Sequence, residues 1–310
     1  MHEGLVISTT GSWNEVKTSE PDGNKIVQCR LRGNFRLKGI KTTNPIAVGD
    51  NVFFEYENEL KTGIIQNIRE RKNVIIRKST NLSKQKHIIA ANADLLLVVA
   101  TPALPRTSTG FIDRLLVTAE AFHIPSLIVL NKSDLFIDEA RELTEYYEEI
   151  YQTAGYQTLQ VSAITKQGIS NLKEILKNKT TLISGHSGVG KSSLINALDP
   201  TQNLKTGEMS LVHHKGKHTT TFARLVTLDF GADIIDTPGI KEFGIVDFEP
   251  WELGHWFPDF RKYIPSCKFA NCTHQHEPEC AVKQAVEEEF IHYERYKNYL
   301  SILNNIEEYE

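Results

Sequence analysis

Hydrophobic positions divide the chain into three regions. From residue 1 to about 78 they fall in short β-rich runs with no helical period, clearest at Gly4–Ser8, Lys25–Arg30, Asn51–Tyr56 and Gly63–Ile68. Pro21-Asp22-Gly23-Asn24 and Val48-Gly49-Asp50 supply turns. Five or so short strands of this kind predict a small barrel, an OB-fold. From about 82 to 245 the pattern alternates. Apolar runs at Leu95–Val99, Leu127–Leu130, Thr158–Val161, Thr181–Ile183 and Ile234–Ile235 read as buried parallel strands. Helical stretches at Phe111–Phe122, Asp138–Ala154 and Ser170–Lys177 lie between them. This is multidomain α/β architecture with a doubly wound sheet, to which Leu225–Leu228 adds an antiparallel edge strand. From 246 to 310, Pro250, Pro258 and Pro265 break the chain into short pieces carrying Trp251, Trp256 and Phe257. A charged helix then runs from about Ala281 to the end, with Val282, Ala285, Val286, Tyr293, Tyr296, Leu300 and Leu303 as its buried stripe.

Composition narrows the partners. At 310 residues and 40% apolar content, the chain suffices for two or three domains and a sizeable core. A net charge of −4 offers no global field for nucleic acid, so any such contact needs a local patch. Lys25, Arg30, Arg32, Arg36, Lys38 and Lys41, interleaved by Phe35 and free of acidic residues, form one. It reads either as an RNA-backbone face or as a solvated strand pair. No run of about 18 apolar residues argues for a membrane span. The polar start Met1-His2-Glu3-Gly4 is unlike a signal peptide.

Three of the four cysteines lie between Cys267 and Cys280, beside histidine. Such clustering points to metal rather than disulfides, hence to a reducing, cytoplasmic setting. Cys267, Cys272 and Cys280 with His274 make C-x4-C-x-H-x5-C, and His276 is an alternative fourth ligand. Three thiolates and one imidazole form a closed tetrahedral set suited to structural zinc, with no open position for catalysis.

Gly185-His186-Ser187-Gly188-Val189-Gly190-Lys191-Ser192 follows an apolar strand and opens a helix, and Ser193 continues it. This is the phosphate loop, whose glycines let backbone amides cradle phosphate at a helix N-terminus. Lys191 reaches the β and γ phosphates, and the Ser192 hydroxyl ligates Mg²⁺. Asp236-Thr237-Pro238-Gly239 also follows a strand, as D-x-x-G does in GTPases. Asp236 would hold Mg²⁺ through water, and the Gly239 amide would sense the γ-phosphate. Asn131-Lys132-Ser133-Asp134 is the N-K-x-D pattern, and Ser162-Ala163 matches the S-A loop. A carboxylate at Asp134 can accept from guanine N1 and N2 together, a pair that adenine lacks. Lys132 would lie along the base, and the S-A backbone would touch it. Lys217-His218-Thr219-Thr220-Thr221 occupies the switch position between phosphate loop and D-x-x-G. One of Thr219, Thr220 and Thr221 should ligate Mg²⁺, and the sequence does not choose among them. His213, His214 and His218 read as part of a polar switch loop rather than a metal site.

The order of these motifs is the informative feature. N-K-x-D precedes the phosphate loop, whereas an ordinary GTPase has them reversed, so the chain looks circularly permuted. The order N-K-S-D, S-A, phosphate loop, G-K-H-T-T-T, D-T-P-G and Cys/His cluster resembles the RsgA (YjeQ) family of GTPases of small ribosomal subunit biogenesis. The resemblance covers essentially the whole chain. It implies an OB-fold at 1–78, a permuted GTPase domain at 82–245 and a zinc domain at 246–310. It implies GTP/GDP with Mg²⁺, one structural zinc held by His274 rather than His276, and a cytoplasmic, monomeric protein that binds 16S rRNA and a late 30S particle, which stimulates hydrolysis. The rival is a GTP-gated translation factor whose hydrolysis only times release. His186 stands where the family usually has Gln, and is expected to face outward. The residue after D-T-P-G is Ile240, which cannot orient water as the Ras-like Gln does. His218 is the family's candidate for that catalytic role.

Overall fold

The computed structural model describes residues 1–20, 23–31, 45–57, 62–78, 86–204, 223–236 and 249–307. Its first unit is a closed five-stranded barrel. Strands β1 (His2–Thr10), β2 (Trp13–Glu20), β3 (Gly23–Leu31), β4 (Asn51–Tyr56) and β5 (Gly63–Ile68) pair in the order β1-β2-β3-β5-β4, and β1 pairs with β4 to close the ring. All pairings are antiparallel except β3–β5, which is the OB-type path. Val6, Val16, Val27, Cys29, Val52, Phe54 and Ile65 fill the interior from alternate positions. Gly63 is glycine for want of room, since a Cβ there would lie 2.7 Å from both the Cys29 sulfur and the Phe54 ring. The stretch from Arg32 to Lys41 lies outside the described residues.

A hairpin, β6 (Val74–Lys78) and β7 (Lys86–Ala91), leads into a mostly parallel sheet. That sheet comprises β8 (Leu95–Ala100), β9 (Ser126–Asn131), β10 (Gln157–Val161), β11 (Thr180–Ser184), β12 (Arg224–Thr227) and β13 (Asp233–Asp236), ordered β10-β9-β8-β11-β13-β12. Helices α1 (Thr109–Ala121), α2 (Glu139–Thr153), α3 (Ile169–Leu176) and α4 (Lys191–Leu198) cover it. The alternation along β8 feeds two cores. Leu96, Val98 and Ala100 face one, with Ile112, Leu116 and Tyr147. Leu95, Leu97 and Val99 face the other, with Leu172 and Leu194. The expected edge strand needs correcting: β12 is antiparallel to β13, but its other side meets β1 at Ser8 and Arg224. An unpaired edge exposes backbone donors and acceptors, and here the barrel satisfies some of them.

The last unit is a set of short helices: 3₁₀ turns at Pro250–Trp256 and Ile264–Ser266, then α5 (Pro258–Arg261), α6 (Ala281–Glu287) and α7 (Tyr293–Glu307). Its core of Leu253, Phe257, Phe260, Ile291, Tyr299 and Ile302 also takes in Val117 of α1. The single C-terminal helix expected from the pattern is in fact two. Glu289 turns left-handed at φ +60°, and the Phe290 and Ile291 amides both donate to the Ala285 carbonyl. Burying Ile291 costs the helix its continuity and shifts its phase. Tyr293 is therefore exposed, while Arg295, Asn298 and Tyr299 face inward.

Candidate nucleotide site and metal centre

The phosphate loop hangs between β11 and α4. Gly190 caps α4 at φ +92°, and a Cβ there would lie 2.5 Å from the Asn131 side-chain nitrogen. No L side chain suits that angle or that space. Ser187 and Gly188 are exposed at the crest, Val189 is buried beneath it, and Ser193 is partly buried on α4. Lys191 Nζ donates to the carbonyls of Gly185 at 2.7 Å and His186 at 2.9 Å, so its charge lies across the loop. Ser192 is buried in the first turn.

β9 brings N-K-x-D to the same place. Asn131 donates from Nδ2 to the Val189 carbonyl at 2.8 Å, joining the two motifs directly. Lys132 is left-handed at φ +68° and donates to the Leu104 carbonyl at 2.5 Å. Asp134 sits in the 3₁₀ turn after Ser133, and Ser133 donates to Gln167 at 3.2 Å. The Ser162 hydroxyl accepts from the amides of Ile164 and Thr165, which leaves its proton for the Asp134 carboxylate. Ala163 follows, partly buried.

Asp236 ends β13 opposite Ile183 of β11. It is buried, and its Oδ2 has no hydrogen-bond partner among the described residues. Burial raises its carboxyl pKa and Lys191 pulls it down. A buried carboxylate oxygen without a donor among the described residues, within the field of Lys191 at the start of α4, suits a hard cation. His218, Thr219, Thr220, Thr221, Gly239 and Ile240 lie outside the described residues. His186 departs from expectation. Its ring stacks on Phe111 of α1, with centroids 3.7 Å apart and planes 25° apart. Flat ring-on-ring contact removes apolar area from water, which an outward pose would not.

The cysteine cluster forms as its spacing predicts. Cys267, Cys272, His274 and Cys280 bring one donor atom each within 4.8 Å of the others. His274 Nδ1 lies 3.6 Å from the Cys267 sulfur and 3.4 Å from that of Cys280, and those sulfurs are 3.9 Å apart. Zinc bonds of about 2.0–2.3 Å give tetrahedral edges of about 3.3–3.8 Å, so the donor set fits zinc. Burial first, and the neighbouring Cys280 and Cys267 after it, push the Cys272 thiol up to about 12, and burial, against the pull of Glu277, brings the His274 imidazole down to about 4. A dication reverses the first effect and matches the second, since it takes thiolates and neutral imidazole.

Supports for this loop escaped the sequence analysis. Glu277 accepts from the Thr273 amide and hydroxyl and from the Gln275 amide. Burial opposes ionisation there, but these bonds win and hold the carboxyl near about 2. Tyr299 and Tyr296 of α7 donate to the carbonyls of Thr273 and His274. Also unforeseen is a buried ionic cluster. Arg295 of α7 donates to Asp113 of α1 and, at 2.8 and 3.2 Å, to Asp259 of α5. Asn298 donates to Asp113 at 2.6 Å. Sequence offers no signal for a fully buried arginine on a charged helix.

The chain is similar to known proteins along nearly its whole length. A family profile described as RsgA GTPase matches residues 68–246, and one described as RsgA N-terminal domain matches residues 3–65. The small ribosomal subunit biogenesis GTPase RsgA of Bacteroides fragilis YCH46 is 50% identical over 306 residues, covering 99% of this chain and 97% of that one. Its namesake in Flavobacterium psychrophilum is 50% identical over 307 residues, covering 98% and 93%. The crystal structure of YjeQ from Thermotoga maritima superposes with a TM-score of 0.77 at 38% identity, covering 98% of each chain. YloQ, a circularly permuted GTPase, superposes at 0.75 and 33% identity, covering 100% of this chain and 96% of that one. Phosphate loop, N-K-x-D and a Cys₃His cluster in this permuted order, matched over nearly the whole chain, lead to one conclusion: the chain belongs to the RsgA GTPase family.

Proposed function

We propose that this chain is a GTP hydrolase that binds the 30S ribosomal subunit, assists its late maturation and turns over faster when bound to it. The observation that carries the nucleotide half is the Asn131–Val189 hydrogen bond. It holds the guanine-reading segment against the phosphate loop despite the permuted order. The ribosomal half is supported by relatives named for small-subunit biogenesis, which do not favour the translation-factor reading.

In this reading, Lys191 exchanges loop carbonyls for β and γ phosphate oxygens, while loop amides from Gly185 to Ser193 cradle the rest. Asp134, oriented by Ser162, accepts from the guanine N1 and N2 hydrogens, and Lys132 lies along the base. Ser192, one threonine of Thr219–Thr221 and, through water, Asp236 would hold Mg²⁺, which would neutralise charge on the phosphates. His218 orients the attacking water, because Ile240 carries no polar group. The Gly239 amide senses the γ-phosphate and passes its loss to the chain beyond 245.

Cys267, Cys272, His274 and Cys280 hold one structural zinc, which cross-links a region rich in turns. We further take 1–78 and 246–310 as the parts that grip 16S rRNA on either side of the nucleotide unit at 82–245. No helix among the described residues is long and apolar enough to cross a membrane. We place the protein in the cytoplasm as a monomer. GTP turnover with and without purified 30S subunits tests the proposal.

A further inference from the structure

The first turn of α1 is wedged between two functional parts. Thr109 and Asp113 are four residues apart and share one face; Phe111, between them, points the other way. The Thr109–Asp113 face meets α7: Thr109 donates to Glu294 at 3.2 Å, and Asp113 takes Arg295 and Asn298. The Phe111 face carries the His186 stack. The backbone carbonyl of His186 is one of the two that hold Lys191. One helical turn therefore touches the phosphate loop on one side and the C-terminal unit on the other.

We infer that His186 and Phe111 are positioning residues that couple nucleotide binding at the phosphate loop to the docking of α7. This rests on the nucleotide reading above. When phosphate draws Lys191 off the His186 carbonyl, the loop carrying His186 resets, and the stacked ring transmits that change to Phe111 and α1. Coupling of this kind is reciprocal: a firmly docked α7 strengthens nucleotide binding by the same factor. The route differs from one through Gly239, because it runs from the phosphate loop through the first turn of α1 to α7 and not along the chain that follows D-x-x-G.

The test is hydrogen exchange of α7 amides in the full chain, with and without saturating GDP, in wild type, Phe111→Leu and His186→Gln. GDP should slow exchange over α7 in the wild type. Both variants should bind GDP about two- to tenfold more weakly, the range expected for a lost aromatic pair. At saturation, each should lose most of the GDP-dependent slowing. A purely structural role for Phe111 would raise α7 exchange equally with and without GDP and leave the difference intact, which would overturn the inference. His186→Gln guards against misfolding, since it alters a surface loop and leaves α1 packed. If wild-type GDP binding leaves α7 exchange unchanged, the inference fails alone. If the wild type binds no GDP, the nucleotide reading fails first.

Discussion

Removing Asp113 should release the C-terminal unit from the nucleotide-binding unit. Asp113 and Arg295 are fully buried and Asp259 nearly so, with Arg295 also lying over the Phe257 ring at 4.6 Å. Burial raises the Asp113 carboxyl pKa, and the Arg295 guanidinium and the Asn298 hydrogen bond work against that rise by favouring the ionised form. Asp113→Ala strips one charge-assisted bond from Arg295 and the 2.6 Å bond from Asn298, and leaves both donors dry. A hydrogen bond to a charged group contributes about 1.5–3 kcal/mol, and each buried unpaired donor costs about 1–3 kcal/mol. The bidentate Asp259 bond survives, which keeps the total near the about 3–5 kcal/mol typical of breaking one buried ion pair. Urea denaturation followed by tryptophan fluorescence suits the assay, because Trp251 and Trp256 lie in the C-terminal unit. That signal should move to lower urea by a free energy of about 3 kcal/mol or more and separate from far-UV circular dichroism. Asp113→Asn, which keeps an acceptor for Arg295, should lose about half as much. A loss under about 1 kcal/mol in Asp113→Ala would show that the ionic cluster does not hold the units together.

Three further outcomes follow from named contacts. Asp134→Asn should weaken GTP binding and admit xanthosine nucleotides, since the carboxylate is what reads two guanine N–H groups; equal affinity of the wild type for ATP and GTP would rule this out. Cys272→Ser should lose a metal present at about one zinc per chain and unfold the C-terminal unit while nucleotide binding largely survives; full metal content in the variant would assign other ligands. Asp199, under the end of α4, accepts from Thr201, Gln202 and the Asp229 amide. Burial opposes its ionisation, but these bonds outweigh it and lower the carboxyl to about 2. A depressed folded value stabilises above the ordinary carboxylate range of about 4, and that contribution disappears as pH falls towards 2. Asp199→Asn should therefore be less stable at neutral pH and lose less on acidification; parallel stability curves from pH 6 to pH 2 would contradict this.

What the sequence discloses tracks the physics of each feature. Strands buried on both faces are long apolar runs, so β8 and β9 are visible directly, while the shorter Leu182-Ile183 of β11 is marked by the phosphate loop that follows it. β2 is polar along most of Trp13–Glu20, and its buried face is Asn14, Val16 and Thr18, so it leaves no such run. The phosphate loop, N-K-x-D and the cysteine cluster are local in sequence, and their spacing carries the chemistry. The Arg295 cluster joins three elements far apart in the chain, and no spacing rule reaches it. The two-helix C-terminus is hidden because Tyr293 and Tyr296 continue the stripe of Val282, Ala285 and Val286 across the backbone break at Glu289. His186 misleads for a related reason: its stacking partner Phe111 belongs to another helix.

The central claim, a GTPase completed by the small ribosomal subunit, is tested most directly by steady-state GTP turnover with and without purified 30S subunits. Wild type alone should be slow, because Ile240 cannot orient water. Subunits should raise kcat by orders of magnitude, as completion of a GTPase site does elsewhere. His218→Ala should lose most of that gain while keeping GTP affinity, the pattern of a group used only in the transition state. Turnover unchanged by 30S subunits would contradict the account; full stimulation in His218→Ala would move the water-positioning role to ribosomal RNA.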